Sequence, residues 1–258
     1  MDDTWIELAA GVFARRHAEL DLTTGLVVGD EAALVIDTRG DHRQGAELAE
    51  AVREITALPL RIALTHGHFD HCFGTSAFLP APVWAQARCP HFLDRTAVDQ
   101  REHWVAHYRE QGDADTADAL AASAPALPDH LVTDTAVLDL GGREVHLHHF
   151  GPGHTDHDLV AHVPDAAVVF AGDLVEQGAP PDFEDAHPLH WPSTVDALLD
   201  LNPTTVVPGH GLPVTAEFAR DQSADLARLA DVCRGRTSPD ESPFPPETTR
   251  SALDRSAQ

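Results

Sequence analysis

The chain has 258 residues, 43% of them hydrophobic, and a formal net charge of −25, with arginine supplying all 17 basic side chains because lysine is absent. Such a surface repels phosphate backbones and anionic bilayers, so neither nucleic acid nor a membrane is an expected partner, and no apolar run approaches the ~20 residues of a membrane helix. Three cysteines (Cys72, Cys89, Cys233) are too few for a disulfide framework, and the acidic start Met1-Asp2-Asp3-Thr4 is unlike an export signal, so a cytoplasmic location is expected.

Short β-type runs at 5–8, 11–14, 25–28 and 32–36 open the chain, with Gly29-Asp30 as a turn. Asp41 stands where it can cap a helix, with Gln44 three residues on and Leu48, Ala49, Val52 and Ile55 on one face. A strand over 61–65 follows, then a short helix over 72–78 and a strand over 83–85. Residues 86–128 read as a helical insertion, a candidate lid: Trp104 and Tyr108 are spaced i, i+4, Ala117, Leu120 and Ala121 share a face, and Gly112 separates two helices. Strands over 135–140, 144–150, 159–163 and 168–171 come next, with Gly141-Gly142 as a hairpin turn. A helix over 193–199, a strand over 205–207 and a last helix from Thr215 complete a domain of residues 1–235. The Pro- and Ser-rich residues 236–258 read as a loosely held tail. Two β meanders flanking a helical section imply an α/β class with two sheets face to face and helices outside.

The densest chemistry is His66-Gly67-His68-Phe69-Asp70-His71, which places four metal-capable side chains in six positions directly after a strand. Imidazole and carboxylate suit zinc or another borderline divalent ion, and this spacing converges the donors only where a strand ends and a turn begins. Metal-dependent hydrolysis is the chemistry it points to. Three further donors, His154, Asp173 and His210, each follow a glycine at the end of a β-type run, where the backbone can turn sharply and approach a metal. Cys72, beside His71, reads as a buried free thiol. His146 and His148 mimic another HxH pair, but no carboxylate or third ligand follows at useful spacing, so they read as ordinary strand positions. His157, His187 and His190 are left between lining a pocket and packing. Tyr108, the only tyrosine, is either the inward face of an inserted helix or an oxyanion donor.

In order, these residues resemble the metallo-β-lactamase fold superfamily, whose pattern is an early strand-ending Asp, then HxHxDH, then His, Asp and His. Asp37 in Val35-Ile36-Asp37-Thr38 matches the early Asp, and the resemblance spans roughly residues 5–234. It implies a four-layer αββα sandwich holding two Zn2+ ions, with iron or manganese as alternatives. By that resemblance His66, His68 and His154 hold one ion, Asp70, His71 and His210 the second, and Asp173 bridges them. A metal-bridging hydroxide would attack the carbonyl of a small ester, thioester, lactone or amide. Asp70 would orient the nucleophile or pass its proton, and Asp37 would fix the ring of a ligating histidine from behind. The presence of His71 and Asp173 resembles the glyoxalase II and lactonase ligand set more than the lactamase one, and the absence of lysine removes the usual anchor for a lactam carboxylate. Two other readings stay open: a mononuclear iron persulfide dioxygenase, and a metal-containing metabolite-binding protein without turnover.

Overall fold

The computed structural model describes residues 4–257; residues 1–3, part of the acidic start, and residue 258 lie outside the described residues. In chain order the first half contains β1 (Trp5–Ala9), β2 (Val12–Arg16), β3 (Thr23–Val28), β4 (Ala33–Ile36), α1 (His42–Ile55), β5 (Leu60–Ala63), α2 (Phe69–Cys72), β6 (Val83–Gln86), α3 (Cys89–Glu110), α4 (Ala114–Ala121) and β7 (His130–Val132). The second half contains β8 (Thr135–Asp139), β9 (Glu144–His148), β10 (Val160–Val163), β11 (Val168–Glu176), α5 (Trp191–Leu199), β12 (Thr205–His210), β13 (Val214–Thr215), α6 (Ala216–Cys233) and α7 (Pro246–Ser256).

Among the described residues, β1 to β7 form one sheet in sequence order and β8 to β13 form a second, ordered β13-β12-β11-β10-β9-β8. Strands β1 to β4 pair antiparallel, as tight turns allow, whereas β4 to β7 run parallel and are joined by helical crossovers. The hairpin between β8 and β9 turns through Gly141 and Gly142, both in the left-handed region, as the sequence implied. Asp41 caps α1 by accepting from the Gln44 amide at 2.8 Å, so the chain leaves β4 and enters the helix directly above the sheet.

Period-two alternation sends Leu34 and Ile36 of β4 into the core between the sheets and Ala33 and Val35 onto the layer under α1, where Leu48 and Val52 meet them. On the far side, Val169 and Ala171 of β11 meet Val195 and Leu198 of α5 and Leu226 and Leu229 of α6. Three apolar layers therefore separate four layers of structure, the αββα sandwich expected. Each fully buried Leu or Ile contributes about 1.5–3 kcal/mol to holding them together.

Two expectations need correction. Of the expected loose tail 236–258, the described part, 236–257, is packed: α7 packs on α6, Ala252 is buried in the outer core, and the Thr249 hydroxyl donates to Ser242 Oγ at 2.7 Å. The prolines that suggested disorder open helical turns, Pro239 behind a Ser238–Glu241 capping box and Pro246 at the start of α7, positions that tolerate a missing N–H. The helical section of 86–128 splits at Gly112 as expected, but Leu93, Tyr108, Ala117 and Leu120 belong to the core under the first sheet, so α3 is anchored in that core near both its ends instead of standing apart from it.

Candidate metal centre

The hexapeptide is separated from the end of β5 by Leu64 and Thr65, and its geometry is set from behind by Asp37. That residue is 1% exposed and has φ 62°, a left-handed conformation that aspartate tolerates better than most residues. Its Oδ1 accepts from the Thr65 amide at 2.8 Å, and its Oδ2 accepts from the Thr65 hydroxyl at 2.7 Å and from His71 Nδ1 at 2.8 Å. Because the Thr65 proton is committed to Asp37, the Thr65 oxygen accepts from His66 Nδ1 at 3.1 Å. His66 and His71 therefore both present Nε2 lone pairs. Asp185 Oδ2 accepts from His68 Nε2 at 3.2 Å, leaving the lone pair on His68 Nδ1, and the Leu20 carbonyl accepts from His210 Nδ1 at 2.8 Å, leaving the lone pair on His210 Nε2.

These lone pairs face one another. His68 Nδ1 lies 3.0 Å from both His66 Nε2 and His154 Nε2, and His71 Nε2 lies 3.3 Å from His210 Nε2. Between the two groups stands Asp173, with Oδ2 3.7 Å from His66 Nε2, 3.5 Å from His154 Nε2 and 3.3 Å from His210 Nε2, and Oδ1 3.2 Å from His71 Nε2. Asp70 Oδ2 completes the second group, 3.5 Å from His71 Nε2 and 3.3 Å from His210 Nε2. Asp173 Oδ1 is buried without a hydrogen-bond partner among the described residues. Convergent nitrogen lone pairs around an unsatisfied carboxylate make sense only with positive charge among them, so the donor set fits one cation in each group.

Electrostatics give the same result. Burial disfavours charge on His71 and His210, yet Asp173, chief among the neighbouring carboxylates, raises both imidazoles well above their ordinary value. Burial likewise opposes ionisation of Asp173, but His71, His210 and His66 hold it well below the usual carboxylate range. His66, by contrast, is lowered mainly by burial, and His154 is lowered to about 4 for the same first reason. Close approach makes the geometry possible: a Cβ on Gly209 would sit 1.7 Å from Asp173 Oδ1, so β12 can deliver His210 beside Asp173 only with glycine there.

A family model of the metallo-beta-lactamase superfamily matches residues 20–210, a span that contains every one of these donors. The chain belongs to the metallo-beta-lactamase superfamily. Among curated proteins it is 28% identical over 153 residues to the probable metallo-hydrolase YqgX of Bacillus subtilis, an alignment covering 59% of this chain and 65% of that one. It is 27% identical over 227 residues to the human acyl-coenzyme A thioesterase MBLAC2, covering 81% of this chain and 79% of the relative. The fold matches a metallo-beta-lactamase from Pontibacter korlensis with a TM-score of 0.70 at 18% identity, over 87% of this chain and 98% of that structure. The chain thus shares its family and fold with metallo-hydrolases, and its alignment to the Bacillus subtilis protein spans just under two thirds of that relative's length.

A cavity of about 630 Å³ opens over the superfamily centre and is lined by His68, Asp70, His154, Asp173 and His210 together with Phe92, Asp99 and Trp104 of α3. Tyr108 does not line it. Its hydroxyl donates to Glu19, its ring packs against Trp104, and burial with the Glu19 contact raises its pKa, so it does not serve as an oxyanion donor. His157 is likewise structural, its Nε2 accepting from the Gly67 amide at 3.1 Å, and neither His187 nor His190 lines the cavity. Cys72 is a buried free thiol as expected.

Two positions carrying weight here were not singled out from the sequence. Gln100 on α3 accepts from the Phe69 amide at 2.9 Å and donates to the Gly67 carbonyl at 3.2 Å, clamping the hexapeptide backbone. Asp185 lies in an irregular acidic loop whose residues show no periodicity, and only the fold brings it to His68. Against the cost of burial, that contact and the nearby Asp70 and Asp173 raise His68 to about 9.

Proposed function

We propose that this protein is a binuclear zinc-dependent hydrolase that cleaves a small ester, thioester, lactone or amide. His66, His68 and His154 would hold one ion, Asp70, His71 and His210 the other, and Asp173 would bridge them. The observation that carries the reading is the position of Asp173, within 3.7 Å of donor nitrogens in both groups. Two divalent ions so placed supply Lewis acidity toward a carbonyl and a water made nucleophilic near neutral pH.

The protein's own groups do the rest. Asp70 is the carboxylate that lines the cavity beside the second group, suited to orient the attacking water and accept its proton. Asp37, Thr65, Asp185 and the Leu20 carbonyl fix the tautomers of four ligand histidines before substrate arrives. Phe69, Phe92 and Trp104 give the cavity an apolar wall for an acyl chain or ring, while Asp99, Asp182 and Glu184 make its rim acidic. Asp99, Asp182 and Glu184 therefore disfavour an anionic group at the part of the cavity away from the ions. The thioesterase activity named for the human relative supports thioesters within this class.

The single-iron reading leaves Asp70, His71 and His210 without a cation to share, so two ions are favoured. Metal counting by inductively coupled plasma mass spectrometry on protein purified without chelator, joined to a screen of neutral esters, thioesters and lactones, tests the proposal. Two zinc ions per chain with turnover support it. One iron per chain redirects the work to persulfide oxidation, and two ions without turnover across the panel point to a metabolite-binding protein.

A further inference from the structure

Away from the metal centre, the outer face of the second sheet carries three histidines that no part of the hydrolytic reading uses. Val145 and Leu147 of β9 and Ala161 and Val163 of β10 point into the core between the sheets, so alternation turns His146, His148 and His162 to the opposite face. His162 stands directly across from His146 in the β9/β10 register, and His148 lies diagonal to it. The ring centroids form a nearly equilateral triangle of 6.1, 6.1 and 6.3 Å, and one nitrogen from each ring lies within 4.8 Å of the other two.

Two nitrogens in this triangle have no partner among the described residues. His148 Nε2 and His162 Nδ1 are buried without a hydrogen bond, and His162 as a whole is only 9% exposed. Orphaned ring nitrogens of this kind carry a desolvation cost that packing does not explain. Two further nitrogens of the cluster are already engaged: His148 Nδ1 lies 3.3 Å from Thr135 Oγ1, and His146 Nε2 donates to Glu144 Oε2 at 3.1 Å. A carboxylate behind a histidine is the arrangement that orients a ligating imidazole. Phe150 stacks on the His148 ring and fixes its plane. Helices α5 and α6 lie over β11 and β12, and Val137, opposite His146 on edge strand β8, is 53% exposed, so the face is open to an ion from solvent. The strong negative charge of the chain draws cations toward it.

We propose that His146, His148 and His162 form a second, independent site for a divalent transition-metal ion of the zinc, copper or nickel class, held by three imidazoles with its remaining position open to water. Burial and the neighbouring imidazoles lower His148 and His162, which keeps both in the neutral, ligating form at neutral pH. Closing the triangle onto an ion brings nitrogens now up to 4.8 Å apart to about 3.3 Å, the tetrahedral spacing for zinc–nitrogen bonds. His146, partly exposed at the surface, has room to make that movement.

The site stands or falls separately from the hydrolase. Equilibrium dialysis of the full chain against micromolar Zn2+, with bound metal counted, should give one ion more per chain for the wild type than for His146→Asn or His148→Asn. Equal stoichiometry in all three overturns the proposal. His162→Asn removes a buried side chain and risks the fold, so the other two variants decide. As a second readout, Cu2+ added to zinc-loaded protein should give an electron paramagnetic resonance spectrum with nitrogen hyperfine structure that His148→Asn abolishes; an unchanged spectrum in the variant contradicts the assignment.

Discussion

The two halves of the sandwich supply the metal centre in different ways. The first half delivers His66, His68, Asp70 and His71 from one continuous loop, clamped by Asp37 beneath and Gln100 above. The second half delivers His154 from the loop between β9 and β10, Asp173 from within β11 and His210 from the end of β12, and positions them by docking one sheet on the other. Donors of the hexapeptide are preorganised by hydrogen bonds drawn mostly from within the first half, with Asp185 the exception, whereas those of the second half depend on the docking of the sheets and on the close approach at Gly209. Asp173 is where the halves meet, and its substitution should separate them most clearly.

Asp173→Ala should lose both ions and lower hydrolysis by more than about 100-fold, beyond the usual cost of losing an outer partner. His210→Ala should weaken chiefly the ion shared with Asp70 and His71. Metal stoichiometry after dialysis distinguishes the two, and equal, small losses in both variants would break the division into two groups.

Behind the first half, Asp37→Ala should weaken metal binding by about 10–100-fold, because it frees both Thr65 and His71. It also leaves the buried Thr65 amide and hydroxyl without their acceptor, at about 1–3 kcal/mol for each unsatisfied group. Urea titration of the metal-free protein would show that loss. A variant as stable as the wild type, with unchanged metal affinity, would mean the frame under the hexapeptide is not what orders it.

The same contrast explains what could be read from the chain. The hexapeptide was legible because its donors are contiguous and follow an apolar run, and the remaining three because each follows a glycine, although only His210 ends its strand, Asp173 lying inside β11 and His154 in the loop after β9. Strand alternation and the Asp41 cap likewise announced the meanders and α1. Pairing of His162 with His146 and His148 was not legible, since it depends on the register of two strands separated by a long connection. The docking of α7 escaped because proline at a helix start and proline in a loose tail look alike in composition. Strands β7 and β13 are three and two residues long, too short to show a period. Tyr108 misled because helical spacing fixes its face but cannot show that Glu19 takes its hydroxyl.

Asp185 offers the finest test of the comparison, since it does for His68 what Asp37 does for His71, but from a loop of the second half. The Asp37 carboxylate is sealed, with its side chain 2% exposed, whereas that of Asp185 is 34% exposed and in reach of water. Water can replace Asp185 as acceptor for His68 Nε2, so its loss should cost less than that of Asp37. Asp185→Ala should weaken metal binding by about tenfold, near the low end for such partners, and Asp185→Asn, whose amide oxygen still accepts from Nε2, should recover most of it. Chelator competition measures the affinity, and kcat at saturating metal should stay near the wild-type value, because the residue positions a ligand. A fall in kcat at saturating metal that Asn fails to rescue would instead give Asp185 a direct role at the substrate, and the two carboxylates would no longer be counterparts.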